Sequence, residues 1–210
     1  LRDPKRVAPF SFNYGGRAST EFLSGWPAKA ERHKIDRGRT ERIRVWTDPE
    51  TGLQIRCVAV DYADYPVTEW TVFLRNTGSN NTPILDSIQG LDVTLQRGEQ
   101  GEFVLNGIKG DFCAADSYEP YRVELTPNSC KKYSPPKGSG KSCDGPDGWP
   151  YFDLQTPEGG VILAIGWPGQ WAARFECDQP KTVKILGGQE LTNLHLRPGE
   201  QIRTPLSVLM

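Results

Sequence analysis

The chain has 210 residues, with 25 Lys and Arg against 26 Asp and Glu and a formal net charge of -1. That balance excludes a general polyanion binder, which needs a basic excess or stripe, and equally an acidic disordered tail, so no nucleic-acid partner is expected. Hydrophobic residues at 37% and aromatics at 10% are enough for the core of one domain; 22 Gly and 17 Pro point to many turns, and no run reaches the roughly 18 apolar residues that span a bilayer, so no membrane partner is expected.

In chain order, residues 1–16 read as extended and punctuated by Pro and Gly. Residues 17–34 have room for one short helix, broken by Gly25 and Pro27. From Thr40 the pattern is that of β-structure. Residues 40–46 alternate, Thr47-Asp48-Pro49-Glu50-Thr51-Gly52 supplies a turn, and residues 53–61 follow, so the two runs form a hairpin. Residues 69–75 are aromatic and β-branched, and Asn76 to Asn81 ends them. Residues 84–95 and 101–108 are further strands, and 127–148 reads as a long irregular insertion. Residues 151–155 and 161–167 form a hairpin over Thr156-Pro157-Glu158-Gly159-Gly160. Strands at 171–177, 182–186, 189–196 and 200–210 complete the chain. Ten or more short strands at near-regular spacing predict an all-β fold, a large antiparallel β-sandwich with little helix, forming a single domain over 1–210. The chain opens at Leu1, and its first residues do not read as a signal peptide, so either a leader has been removed or the segment is cut from something longer; residues 202–210 stop inside an apolar run. The expectation is a truncated strand at the end of an N-terminal piece of a longer protein.

Five cysteines are present, none in a CxxC pair, so no structural metal site is expected. Cys57 lies in an apolar run and reads as a buried free thiol. Cys130 and Cys143 flank a polar Pro, Gly, Ser and Lys loop that cannot pack by itself. The expectation set for test is a Cys130–Cys143 disulfide across it, against two free thiols; the bridge would be worth roughly 3 kcal/mol and would favour a periplasmic or secreted location. His33 sits in a charged stretch and His195 alternates with Leu194 and Leu196; neither suggests a metal centre. No nucleophile elbow, P-loop or dinucleotide fingerprint occurs, and no cofactor is expected.

Trp167-Pro168-Gly169-Gln170-Trp171 places two tryptophans around a turn. Aromatic faces stack on the C–H face of sugar rings, and an amide such as Gln170 bonds hydroxyls. The alternative is that both tryptophans cap the core. The expectation set for test is that Trp167 and Trp171 serve ligand contact or assembly. Asp111, Asp116 and Glu119 are close enough in sequence for glycosidase acid/base work, but turn capping by Asp is the preferred reading.

Several segments resemble the N-terminal β-supersandwich domain of glycoside hydrolase family 36, which consists chiefly of retaining α-galactosidases. They are Phe10-Ser11-Phe12-Asn13-Tyr14-Gly15-Gly16-Arg17, Trp46-Thr47-Asp48-Pro49-Glu50-Thr51-Gly52-Leu53, Asn76-Thr77-Gly78 with Thr82-Pro83-Ile84-Leu85, and Gly110-Asp111-Phe112 with Ala115-Asp116-Ser117-Tyr118. Phe152-Asp153-Leu154-Gln155, residues 164–171 and residues 198–205 add to the set. The resemblance implies a domain that assists assembly, with a catalytic (β/α)8 barrel of the same parent protein as its partner. It implies two catalytic aspartates on that barrel, so no residue of this chain inherits a catalytic role. It also implies homo-oligomers in which a loop of this domain reaches a neighbouring subunit's galactose pocket. The matching segment is Arg17-Ala18-Ser19-Thr20-Glu21-Phe22-Leu23. Glu21, where relatives often carry Asp, would accept hydrogen bonds from galactoside hydroxyls, with Phe22 beside it; otherwise Glu21 is a surface residue next to a packed Phe22. The runner-up readings are a non-catalytic carbohydrate-binding module and an interaction sandwich with no sugar role.

Overall fold

Period-two alternation dominates the fold. On β5 (Leu53–Tyr62) every second residue from Leu53 to Ala59 is buried, at Leu53, Ile55, Cys57 and Ala59, and the same holds for Trp171, Ala173, Phe175 and Cys177 on β14 (Trp171–Gln179). Each strand therefore offers one apolar face, and only face-to-face packing of sheets buries all of them. The computed structural model describes residues 8–179 and 181–210.

The chain opens with β1 (Ser11–Tyr14) and β2 (Arg17–Ala18), then a one-turn helix α1 (Ser19–Phe22) and a 3₁₀ turn (Leu23–Gly25). β3 (Ala28–Lys34), β4 (Arg39–Thr47), β5 and β6 (Thr68–Asn76) form a meander. β7 (Leu85–Gln89), β8 (Leu91–Gln96), β9 (Phe103–Ile108), β10 (Pro120–Leu125) and β11 (Ser129–Tyr133) follow. β12 (Tyr151–Thr156), β13 (Gly159–Gly166), β14 and β15 (Thr182–Gln189) lead to the short β16 (Asn193–Leu194), β17 (Gln201–Arg203) and β18 (Leu206–Leu209).

Ten strands make one antiparallel sheet in the order β10-β9-β12-β13-β18-β6-β5-β4-β3, with β17 also on β6. Two four-stranded sheets, β16-β7-β1-β2 and β11-β14-β15-β8, pack on it. Aromatic contacts mark the seams. Phe152 of the large sheet lies 5.1 Å from Phe175, Tyr121 stacks on Tyr133 at 5.3 Å, and Phe10 meets Trp46 edge-on at 5.6 Å. Strand makes up 54% of the chain and helix 3%, so the fold is an all-β sandwich of large antiparallel sheets.

Four local expectations change. The single strand expected at 84–95 is two strands in different sheets, broken at Gly90. The Gly90 carbonyl accepts from the Trp70 indole at 2.7 Å, and a Cβ on Gly90 would lie 2.8 Å from Thr204 Cβ. The stretch after Pro27 is β3, an edge strand whose residues are all exposed, so it carries no apolar alternation. The insertion at 127–148 contains β11, and the strand expected at 189–196 shrinks to β16. Last, all five cysteines, Cys130 and Cys143 among them, are free thiols in this structure. Cys130 is exposed on β11 opposite Glu176 of β14, while the Cys143 carbonyl is held by the Asp111 amide at 2.7 Å. The loop between them is therefore anchored at its far end to the segment after β9, not to β11.

Candidate functional site

The corner after β1 separates the two residues singled out there. Ser19 is buried, and its hydroxyl accepts the Phe12 amide at 3.1 Å, which fixes α1 against β1. Phe22 points inward, with its ring 6.0 Å from Phe12, 6.3 Å from Tyr14 and 4.9 Å from Trp26. Tyr14 donates to or accepts from Thr51 Oγ1 at 2.6 Å, and burial pushes its phenol above its ordinary value. Glu21 faces solvent, 3.8 Å from Arg17 of β2, with both side chains more than half exposed. Such a pair contributes only about 0.5 kcal/mol or less and leaves the carboxylate available. The Arg17 guanidinium also lies 5.7 Å over the Phe22 ring. The corner thus presents one carboxylate and one guanidinium on an aromatic base, a set that bonds neutral polyols in both directions.

The tryptophan turn is corrected. Trp171 is fully buried, packs edge-on against Phe152 at 6.2 Å, and donates its indole N–H to the Ser142 carbonyl at 2.6 Å. It is a core residue, because β14 begins at Trp171 itself and directs it inward. Gln170 is occupied as well: Nε2 donates to the Pro135 carbonyl at 2.8 Å and to Glu190 at 3.0 Å. Trp167 is half-buried against the core, with the Arg203 guanidinium 5.1 Å over its ring. The two tryptophans therefore do not form one binding face.

A cavity of about 760 Å³ lies between β3–β6 of the large sheet and β8. No single motif marked it, because its lining comes from strands far apart in sequence. Cys57 and Ala59 line it from β5, small residues between the larger Trp46 and Trp70. Burial pushes the Cys57 thiol up to about 12, against the pull of Arg42 and Arg44. The Arg44 guanidinium stacks 4.7 Å over Trp46, and Arg42 Nη2 donates to Asp61 at 2.8 Å, where Thr68 donates too. The arrangement is an apolar space with a rim of partnered charges.

The acidic group after β9 is tied up by a lysine. Lys109 donates to Asp116 at 2.6 Å and to Glu119 at 3.1 Å, and the hydrogen bond from Lys109 holds the Asp116 carboxyl below its ordinary value. Asp111 accepts the Cys113 amide at 3.3 Å, as a turn-capping residue does. His33 contacts Glu31 at 3.2 Å on the exposed edge, and His195 is exposed. Among the described residues, no three His, Cys, Asp or Glu side chains are grouped to hold a metal, and no helix is long and apolar enough to cross a membrane.

The class this architecture defines is a large all-β sandwich domain with a β-β-helix corner and no assembled acid/base pair at the segments singled out from sequence. Its particular likeness is to glycoside hydrolase family 36. The chain superposes on the α-galactosidase AgaA from Geobacillus stearothermophilus with a TM-score of 0.70 at 16% identity, covering 98% of this chain and 30% of that one. The α-galactosidase from Lactobacillus brevis gives 0.67 at 15%, over 97% and 29%. The galactosidase domain of an α-galactosidase-sucrose kinase, AgaSK, gives 0.67 at 16%, over 97% and 30%. The chain therefore spans about 30% of the length of these structures and shares the fold of that portion. No family model and no curated protein matches the sequence.

Proposed function

We propose that this chain is the N-terminal β-domain of an α-galactosidase-like glycoside hydrolase, non-catalytic itself, that docks a catalytic barrel of the same parent protein. One observation carries the reading: nearly the whole chain, 98%, superposes on a 30% portion of α-galactosidases. The pairing of Asp116 and Glu119 with Lys109 supports a non-catalytic role, since both carboxylates already share one ammonium partner. In the assembled oligomer, exposed Glu21 is the group offered to galactoside hydroxyls at a neighbouring subunit's pocket, with Phe22 as its packed support. The burial of Trp171 removes a residue on which an independent carbohydrate-binding module rested.

The coding sequence beyond codon 210 tests the reading. Several hundred further residues with a repeating strand–helix pattern support it; an unrelated domain there overturns it. The longer protein should then release nitrophenol from a nitrophenyl α-galactoside, while residues 1–210 alone should not. Release by residues 1–210, abolished by a substitution within them, overturns the non-catalytic assignment. Glu21→Gln in the longer protein should raise KM with unchanged melting temperature.

A further inference from the structure

Two irregular segments meet at the end of the large sheet: residues 109–119, between β9 and β10, and residues 134–150, between β11 and β12. Their backbones are zipped together. The Gly110 amide donates to the Gly145 carbonyl at 3.0 Å, and the Asp111 amide donates to the Cys143 carbonyl at 2.7 Å. The approach leaves no room for a side chain, because a Cβ on Gly110 would lie 2.2 Å from the Cys143 carbonyl oxygen and 2.6 Å from that of Gly145.

Cys113 sits at the bend of the first segment, exposed, with φ +57°. The bend is tight. The Cys113 amide donates to Asp111 Oδ1 at 3.3 Å, the Phe112 and Ala114 amides both reach Ser117 Oγ, at 3.3 and 3.2 Å, and the Ser117 amide returns to the Ala114 carbonyl at 3.1 Å. Cys143 lies opposite Asp111, two residues from Cys113. The Asp111–Cys143 hydrogen bond sets those two residues side by side, and the two-residue step from Asp111 to Cys113 adds at most about 7 Å, which the bend shortens. Bridged cysteines hold their Cα atoms about 4.4–6.8 Å apart. Both sulfurs also act on one phenol. Tyr118 is raised above its ordinary value by desolvation first, then by its hydrogen bond to Asp111 and the nearby charges of Asp111, Cys143 and Cys113.

The other thiols are placed differently. Cys57 and Cys177 are buried, and burial pushes them up to about 12 and about 11. Cys130 is held in the β11–β14 ladder opposite Glu176. Cys113 and Cys143, both free thiols in this structure, share one turn-and-loop contact and reach solvent, one exposed and one half-exposed.

We propose that Cys113 and Cys143 form a disulfide that staples the 134–150 loop to the 109–119 bend. The oxidant is a small-molecule disulfide of the oxidised glutathione class. The thiolate of one cysteine attacks the glutathione disulfide, forming a mixed disulfide and releasing one glutathione thiolate. The second cysteine attacks the protein sulfur of that mixed disulfide and releases the second. Two electrons pass from the protein thiols to the oxidant, the two thiol protons end on two reduced glutathiones, and one S–S bond replaces another. The staple also fixes Tyr118, which meets Trp149 edge-on at 5.7 Å, against the base of the loop.

The test is non-reducing peptide mapping of the whole chain after equilibration with oxidised glutathione and alkylation of the remaining thiols. A Cys113 peptide linked to a Cys143 peptide is the expected product. Melting temperature should rise by about 5 °C or more on oxidation, as cross-links of this loop length allow. The rise should be lost in Cys113→Ser and in Cys143→Ser and kept in Cys130→Ser. A Cys130–Cys143 link, alkylation of both Cys113 and Cys143, or glutathione retained on either of them overturns the proposal. The wild-type map decides the pairing even if a serine variant folds poorly.

Discussion

Trp171→Ala discriminates between core and surface roles for the tryptophan turn. The indole is fully buried at the start of β14, against Phe152, with its N–H on the Ser142 carbonyl at 2.6 Å. Truncating a buried Trp costs about 3–5 kcal/mol through lost transfer and a residual cavity. Stranding the Ser142 carbonyl adds about 1 kcal/mol, since that loop residue regains some water. For a domain of this size each kcal/mol is about 2–4 °C, so the melting temperature should fall by roughly 10 °C or more. Trp171→Phe keeps most of the apolar contact but loses the N–H, and should fall by less than half as much. Ser142 precedes Cys143, so the Ala variant should also free the loop, and alkylation of Cys143 in the reduced protein should speed up. Differential scanning calorimetry with timed alkylation reads both effects. A melting temperature within about 2 °C of wild type, less than a 1 kcal/mol loss, together with unchanged Cys143 reactivity would refute the core assignment.

Three further outcomes are expected. Asn76 is buried and makes three bonds, from Nδ2 to the Asn80 and Leu196 carbonyls at 2.7 and 2.8 Å and to Oδ1 from the Gly78 amide at 2.9 Å; Asn76→Ala should cost about 3 kcal/mol or more, read as a lower urea midpoint at unchanged slope. Gly110→Ala drives a Cβ into the Cys143 carbonyl, so it should part the two segments, lower the melting temperature and expose Cys143 to alkylation. The Cys57 thiol is raised from 9.0 to about 12 by burial, so the folded state holds its proton longer than the unfolded one; the associated stability is present below about pH 9 and is lost as pH rises toward 12. That three-unit difference corresponds to about 4 kcal/mol at most, and Cys57→Ala should flatten the alkaline decline in urea midpoint by a measurable part of it.

Local pattern made the meander legible. The alternation at 40–46 and 53–61 and the Pro-Gly turn between them appear as β4 and β5, paired from Arg39↔Tyr62 to Thr47↔Gln54. The hairpin of β12 and β13 was legible for the same reason. These pairings are short-range, so residue period and turn chemistry suffice. The residues of the corner, Glu21 and Phe22, were legible as a segment, but not which one faces inward; that depends on Phe12, Tyr14 and Trp26 arriving from elsewhere in the chain.

Tertiary structure decided the rest. β3 has no apolar period, and its strand state comes from pairing with β4 at the sheet edge. The apolar run at 84–95 reads as one strand until Thr204 and Trp70, both far away in sequence, close on Gly90 and send β7 and β8 to different sheets. Trp171 beside Pro168-Gly169 looks like a loop residue locally, and its burial depends on Phe152 and on the Ser142 carbonyl. The cysteine neighbours changed in the same way: Cys130 and Cys143 flank one loop in sequence, but backbone bonds from Gly110 and Asp111 carry Cys143 to the bend that holds Cys113. In sequence, the residue period reports which side chains turn inward together. Which of them meet is set by contacts between distant segments, and those form only once the sheets have packed.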